Sequence, residues 1–162
     1  MRILGVDPGT WRTGIGIIET QGSRYQHIHS EVIAVKEDWP ISKRLLVIYQ
    51  ALTERIREHK PDVVALENVF FGKDVSALVK IGEARACAML AAAAENLEVI
   101  EYPPARVKQA VTSNGRATKE QVQYMIKMLL NLKTAPPADS ADALAVAICH
   151  VQARNPIAAM VK

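Results

Sequence analysis

The stretch that decides the fold is Ile3–Ile18, ILGVDPGTWRTGIGII, in which two apolar runs flank a turn. β-Branched and other apolar residues favour strands, and Pro8 and Gly9 interrupt the chain between the two runs. Gly22 and Ser23 predict a second turn. The three predicted strands are Arg2–Asp7, Gly14–Thr20 and Arg24–Val35. Strands joined by turns this short predict an antiparallel meander.

The rest of the chain alternates between helical and strand patterns. Apolar residues recur at helical spacing after Pro40, and Pro61 ends that helix at about Lys60. A strand that follows a helix implies a parallel crossover back into the sheet. The further predicted segments are strands at Asp62–Glu67 and Leu97–Glu101, and helices at Asp74–Asn96, Pro104–Val111, Lys119–Leu130 and Asp139–Arg154. We therefore expect an α/β fold, a mixed five-stranded sheet with helices on both faces.

Length and composition limit the class of protein. The chain has 162 residues, of which 49% are apolar, so we expect residues 1–162 to form a single domain around a sizeable core. No apolar run reaches the roughly 18 residues of a membrane span, and no signal-peptide pattern opens the chain. Cys87 and Cys149 lie in apolar helical contexts, which predicts buried free thiols. We expect a soluble, cytoplasmic protein with no membrane partner.

Positive charge is concentrated in one segment. Between Tyr102 and Ala138, six basic residues accompany a single acid, Glu120, whereas the whole chain has a net charge of only +3. The basic residues are Arg106, Lys108, Arg116, Lys119, Lys127 and Lys133. Such a segment indicates a local partner of negative charge, for example a phosphate backbone, although a solvated helix face would have the same composition.

Four acidic residues lie at the predicted ends of strands and helices. Asp7 ends the first strand and Glu67 the fourth; if these strands are parallel neighbours, both carboxylates lie at the edge where α/β proteins bind ligands. Asp139 and Asp142 are one helical turn apart and would repel each other without a cation. Oxygen ligands favour Mg²⁺ or Mn²⁺, and two such ions about 3.5–4 Å apart assist phosphodiester hydrolysis. The pattern is therefore compatible with a metal-dependent nuclease.

Each acid also has a simpler explanation that spacing alone leaves open. Asp7 followed by proline and glycine is typical of a turn. Glu67 is compatible with an exposed acid at a strand end, and Asp139 is compatible with a helix cap. Asp142 lies farther inside the helix, where capping explains it less well.

Five segments resemble, in order and spacing, the RuvC-type Holliday junction resolvases. They are ILGVDPGTWRTGIGII, ALENVFFGKDVSALVKIGEARA, YPPARVKQAV, KEQVQYMIKMLL and DSADALAVAICH, and they extend from Arg2 to about His150. The resemblance implies an RNase H-like fold and a homodimer that binds a four-way DNA junction. It also implies symmetric nicking of two strands of like polarity with Mg²⁺ or Mn²⁺, in homologous recombination and DNA repair. The implied partner is a branch-migration motor of the RuvA and RuvB type.

The same resemblance assigns roles to individual residues. Two ions per active site are expected at the family's catalytic and metal-binding acids, which fall on Asp7, Glu67, Asp139 and Asp142. The family's basic residues near the scissile phosphate fall on Lys108 and Lys119, and its base-stacking aromatic residue falls on Phe70. Together with nearby basic residues, the predicted DNA contacts are Phe70, Lys73, Arg85, Lys108, Arg116 and Lys119.

Three positions depart from the family's pattern. Ser113 stands where a glycine is usual, and Arg116 stands where a small residue is common, both in the loop after Lys108. Ala86 replaces a frequent glycine in the helix that dimerises in the family. We expect a stiffer and more basic loop, with altered phosphate contacts or sequence preference, and an unchanged set of acids.

Other functions fit parts of the sequence. DPGT resembles the phosphate-binding turn of actin-like ATPases and sugar kinases, but 162 residues leave no room for the second lobe of those proteins. The principal alternative is a RuvC-like nuclease that acts on RNA or on another branched nucleic acid. A junction-binding module that does not cut DNA would have no need of four clustered acids.

Overall fold

The computed structural model describes residues 1–22, 24–68 and 75–154. Three strands come first, helices and strands then alternate, and three helices follow the last strand. The strands are β1 (Arg2–Asp7), β2 (Arg12–Gln21), β3 (Arg24–Ala34), β4 (Val63–Glu67) and β5 (Val99–Tyr102). The helices are α1 (Ile41–His59), α2 (Val75–Ala94), α3 (Pro104–Thr112), α4 (Lys119–Leu129) and α5 (Ala138–Arg154).

The strands form one mixed sheet in the order β3-β2-β1-β4-β5. β1, β2 and β3 pair in antiparallel fashion, as the predicted meander requires, whereas β4 lies parallel to both β1 and β5. Direct pairing of Val6 with Leu66 brings the carboxyl ends of β1 and β4 to the same edge. The predicted five-stranded mixed sheet is confirmed.

Helices cover both faces of this sheet, as predicted. One face packs against α3, α4 and α5 around the buried residues Ile3 and Ile18. The opposite face packs against α1 and α2 around Leu4 and Ile17. Because successive side chains of a strand point to opposite faces, a strand between two helical layers must be apolar on both sides. This requirement explains the continuous apolar run in β1.

α5 packs closely on the sheet because small residues line both sides of the contact. A Cβ atom at Gly5 of β1 would overlap the carbonyl oxygen of Ala143, and one at Gly14 of β2 would overlap that of Asp139. The helix in turn presents small, fully buried side chains, among them Ala141, Ala143, Ala145 and Ala147. Glycine at these strand positions is therefore required for α5 to lie where it does.

The bounds of β2 and β5 differ from the predicted ones because backbone pairing with the neighbouring strands determines where these two strands begin and end. β2 begins at Arg12 rather than Gly14, since its pairing with β3 continues as far as Arg12 and Ala34. β5 ends at Tyr102, one residue later than predicted, because that residue pairs with Glu67 of β4. Sequence pattern marks the apolar part of a strand, whereas backbone pairing extends beyond it.

α2 buries its small residues and exposes its large apolar ones. The buried residues, which face α1 and the sheet, are Ala84, Cys87, Ala88, Ala91 and Ala92. Val75, Val79 and Leu90 are each more than half exposed. One side of α2 is therefore an apolar surface without a partner in the described part of this chain.

Both cysteines are buried free thiols, as predicted. Burial raises the pKa of Cys149 to about 11, so this thiol is protonated at neutral pH. Among the residues that the structure describes, no helix has the length and apolarity needed to cross a membrane.

Gly5→Ala is expected to lower the free energy of unfolding by about 2 kcal/mol or more, because the added methyl group forces α5 away from β1. Chemical unfolding followed by circular dichroism measures this change. Gly22→Asn is the control, because Gly22 has φ 63° with open space around its Cβ position, and asparagine tolerates that conformation. Equal stability of the two variants would contradict the close packing of α5.

Candidate active site

Asp7 and Glu67 meet at the carboxyl edge of the sheet. Asp7 is the last residue of β1 and Glu67 the last residue of β4, and these two strands lie side by side. Burial, followed by the charges of Glu67, Asp142 and Asp139, raises the pKa of Asp7 to about 8. Burial and the charge of Asp142 raise the pKa of Glu67 to about 7. The pairing of β1 with β4 thus assembles two of the four predicted acids.

α5 supplies the other two acids. The backbone of Asp139 lies against Gly14, the residue of β2 that pairs with Asp7. Burial raises the pKa of Asp142; Lys119 opposes this effect and the charge of Asp139 adds to it. The charges of the other three predicted acids therefore all act on Asp7, so the four lie near one another.

The two lysines expected beside the acids are found there. Lys119 is the first residue of α4 and places Nζ 3.9 Å from Oδ2 of Asp142. Lys108 lies on α3, and its charge, like that of Lys119, acts to lower the pKa of Glu67. Positive charge from two helices thus borders the acids on one side.

Arg12 is a third basic residue at the site, and sequence reasoning missed it. Its Nε donates a hydrogen bond to Oδ2 of Asp139 at 2.6 Å, while 57% of its side chain is exposed. The available signal was its position, because Arg12 begins β2 directly after the turn that follows Asp7. Asp139 lies inside α5 and is paired with a guanidinium group from β2, so its role is not simply that of a helix cap.

The chemistry of the acids suits a hard divalent cation. They offer only carboxylate oxygens, and the raised pKa values of Asp7 and Glu67 reflect burial and mutual repulsion that a cation would relieve. Within the described ranges, however, no group of three or more Asp, Glu, His or Cys side chains is placed so that it could hold one metal ion. The structure therefore gathers suitable ligands without forming a complete coordination shell.

Arg85, a predicted DNA contact, is engaged inside the protein. It forms an ion pair with Glu101 and donates from Nη1 to Oδ1 of Asn68 at 2.9 Å. Only 12% of its side chain is exposed. Because Asn68 directly follows Glu67, these contacts of Arg85 hold the end of β4 in place. In this position its guanidinium group is not free to bind a phosphate.

The other predicted DNA contacts are Phe70, Lys73 and Arg116. Phe70 and Lys73 fall outside the described residues, and Arg116 is exposed between α3 and α4. In the same loop, Ser113 has φ 59° and ψ 11°, a left-handed conformation that glycine adopts without strain. Ser113 therefore adopts a conformation in which glycine would be less strained, and the stiffer loop expected from the sequence stays a prediction.

Comparison with known proteins decides the family. The family model described as crossover junction endodeoxyribonuclease RuvC matches residues 3–150. The chain belongs to the RuvC family. A crossover junction endodeoxyribonuclease RuvC from Desulforamulus reducens is 48% identical over 153 residues, which cover 94% of this chain and 94% of the relative. The RuvC of Geotalea uraniireducens is 46% identical over 150 residues, which cover 93% of this chain and 88% of the relative.

Solved structures of RuvC agree with this assignment. T. thermophilus RuvC in complex with Holliday junction substrate has a TM-score of 0.90 and 32% identity, covering 98% of this chain and 97% of that chain. The yeast mitochondrial Holliday junction resolvase Ydc2 has a TM-score of 0.71 at 13% identity, covering 98% and 80% of the two chains, and shows the fold alone. The predicted RNase H-like architecture of the RuvC family is confirmed.

Without divalent metal, the acids should make stability depend on pH. Asp7 ionises near pH 3.8 in the unfolded chain and near pH 8 in the folded protein. Between these two pH values Asp7 is protonated in the folded protein and ionised in the unfolded chain. The free energy of unfolding therefore falls as the pH rises towards 8. In EDTA at pH 9, Asp7→Asn is therefore expected to be more stable than the original chain by at least about 1 kcal/mol.

Urea unfolding at pH 6, 7, 8 and 9 measures the difference in the free energy of unfolding between Asp7→Asn and the original chain. This difference should shrink as pH falls. The control is Asp38→Asn, the same chemical change at an exposed position, for which the difference should not vary with pH. Added Mg²⁺ should stabilise the original chain more than Asp7→Asn. If the free energies of unfolding of Asp7→Asn and of the original chain changed in parallel from pH 6 to 9, the four acids would not be electrostatically coupled as described. These four acids are called the acid cluster below.

Proposed function

We propose that this chain resolves four-way (Holliday) DNA junctions by nicking two strands of like polarity symmetrically. It acts in homologous recombination and DNA repair, in the cytoplasm, alongside a branch-migration motor of the RuvA and RuvB type. The observation that carries the proposal is the convergence of four acids from three elements in a RuvC family chain. Further support comes from the similarity to a RuvC that is bound to a Holliday junction substrate.

The proposed catalytic residues are the four acids, which would bind two Mg²⁺ ions, with Mn²⁺ as a substitute. Such ions activate a water molecule and stabilise the leaving oxygen in phosphodiester hydrolysis. The chain's own contribution is to hold the carboxylates in place. β1 and β4 position Asp7 and Glu67 through backbone pairing, and α5 presents Asp139 and Asp142 from successive turns.

Basic residues allow DNA to approach an acidic site. Four carboxylates would repel a phosphate backbone, and Lys108 and Lys119 offset that repulsion on the side where they lie. Arg116 and Lys73 are proposed to add phosphate contacts, and Phe70 is proposed to stack on a base exposed at the junction centre. Phosphate contacts then supply most of the affinity, whereas the geometry of the branched strands supplies the discrimination.

A homodimer is proposed because the substrate has two equivalent strands to cut. The exposed side of α2 supports this arrangement. Val75 is 70% exposed, Val79 55% and Leu90 62%, and the position of a Cβ atom on Gly82 has no neighbouring atom within 4 Å. An exposed apolar surface of this kind is typical of a protein–protein contact, and small residues such as Gly82 and Ala86 allow two helices to approach closely.

Cleavage of a synthetic four-way junction tests the proposed activity. With Mg²⁺, the chain should nick opposite strands of the junction and leave a linear duplex of the same sequence intact. Asp7→Asn should reduce the rate by at least about 10²-fold because it removes a charge that stabilises the reaction. Its junction binding, measured by gel shift, should persist.

The alternatives give different results in the same assay. Cutting of the junction by Asp7→Asn at the original rate would contradict the assigned chemistry. Preferential cleavage of a branched RNA would favour the RNA nuclease, and binding without cleavage by the original chain would favour a non-cleaving module.

A charged residue on the exposed side of α2 should separate the dimer. Val79→Glu and Leu90→Glu each place a carboxylate in the proposed apolar contact, so sedimentation should detect a monomer where the original chain is a dimer. Met128→Glu is the control, because Met128 is 57% exposed on α4, which packs on the opposite face of the sheet. Dissociation by the control, or retention of the dimer by both α2 variants, would place the interface elsewhere.

A further inference from the structure

An exposed tryptophan lies beside the acid cluster with cations against its ring. Trp11, in the turn between β1 and β2, is 43% exposed. The guanidinium carbon of Arg44 on α1 lies 5.7 Å from the centre of the Trp11 ring, and Nζ of Lys80 on α2 lies 5.8 Å from it. Both distances are within the range of cation–π attraction. The ring thus links basic residues of two different helices.

The second of the chain's two tryptophans has the same arrangement. Nζ of Lys43 lies 4.0 Å from the centre of the Trp39 ring, and Nζ of Lys36 lies 5.9 Å from it. Because Lys43 and Arg44 both lie in the first turn of α1, the two aromatic groups lie near the same end of that helix. We name this region the tryptophan–cation surface; its residues are Trp11, Lys36, Trp39, Lys43, Arg44 and Lys80.

The positive charge of this surface is not compensated within the described ranges. None of its four cations forms an ion pair there, and the nearby acids Glu37 and Asp38 do not pair with them. In addition, Nε and Nη1 of Arg44 are buried without a hydrogen-bond partner in the same part of the chain. A buried donor without an acceptor is unfavourable, and an anion at this surface would offset the uncompensated charge of the cations around it.

One end of the surface is joined to the acids through the chain. Trp11 lies in the turn that follows Asp7, and it directly precedes Arg12, whose Nε donates to Oδ2 of Asp139. The carbonyl oxygen of Trp11 accepts a hydrogen bond from the backbone nitrogen of Val35 at 3.0 Å, which fixes the turn against the segment after β3. A strand that reached the acids could therefore continue over Trp11 towards the start of α1.

We propose that the tryptophan–cation surface binds the phosphodiester backbone of the junction strand that leads away from the acids. The proposal rests on the proposed function and adds a binding site to it, since none of these residues belongs to the predicted DNA contacts. Cations interleaved with aromatic rings are typical of surfaces that bind single-stranded nucleic acid. Trp11 acts as a positioning residue, because its ring holds Arg44 and Lys80 towards the phosphates.

The salt dependence of junction binding tests this proposal. In the Asp7→Asn background, which is expected not to cut, Lys43→Gln and Lys80→Gln should each lower the slope of log affinity against log salt by about 0.7–0.9. Trp11→Ala removes no charge, yet it should lower the slope by a similar amount because Arg44 and Lys80 lose their support. Trp11→Phe keeps an aromatic ring and should restore most of the original slope.

The matched control is Lys60→Gln, which removes one charge at the far end of α1, roughly 25 Å from Lys43 along the helix axis. Its slope should not change. A second readout needs no substitution in the surface: because both tryptophans lie in it, saturation with junction DNA should change the intrinsic tryptophan emission. Emission that stays constant while the junction is bound would overturn the proposal.

The outcomes separate this proposal from the proposed function. Failure of the original chain to bind or cut four-way junctions would defeat the function and this site together. Suppose that junction cleavage is normal, and that the slopes for Trp11→Ala and Lys80→Gln equal the slope for Lys60→Gln. That result would overturn only the tryptophan–cation surface.

Discussion

The close approach of α5 to β1 and β2 is the constraint on which the rest of the structure depends. Gly5 and Gly14 leave no side chain between the strands and the helix, so the helix backbone rests directly on the sheet. The carbonyl oxygen nearest to Gly14 belongs to Asp139, and Gly14 itself pairs with Asp7. The packing that completes one half of the hydrophobic core is therefore also the packing that brings the acids of α5 to the acid of β1.

This arrangement sets two physical effects against each other. Burial of apolar residues on both sides of the sheet stabilises the fold, whereas burial of several carboxylates beside one another opposes it. Arg12 and Lys119 offset part of the repulsion at the two acids of α5. Asp7 and Glu67 lie deeper, and their raised pKa values show that this compensation is incomplete. The proposed affinity for cations would thus be a consequence of how the core is packed.

The sequence was sufficient to predict the order of elements from short-range patterns. The meeting of the acids was predicted only on the condition that β1 and β4 are neighbours, and the full set of four was implied by the family resemblance. Apolar runs and turns define the strands, and a helix between two strands implies parallel pairing, which places Asp7 beside Glu67. Side-chain partners were not predictable in this way. Arg12 and Asp139 are 127 residues apart, and only the docking of α5 on β2 brings them together. For the same reason, composition identified Arg85 as a basic residue but could not reveal that Glu101 and Asn68 engage it.

The docking of α5 links the completion of the core to the completion of the acid cluster. Without this helix, the face of the sheet that packs around Ile3 and Ile18 would be open to water. The same helix carries Asp139 and Asp142, so its docking also supplies the last two carboxylates. A chain in which α5 does not dock would consequently be both poorly folded and without two of the four acids.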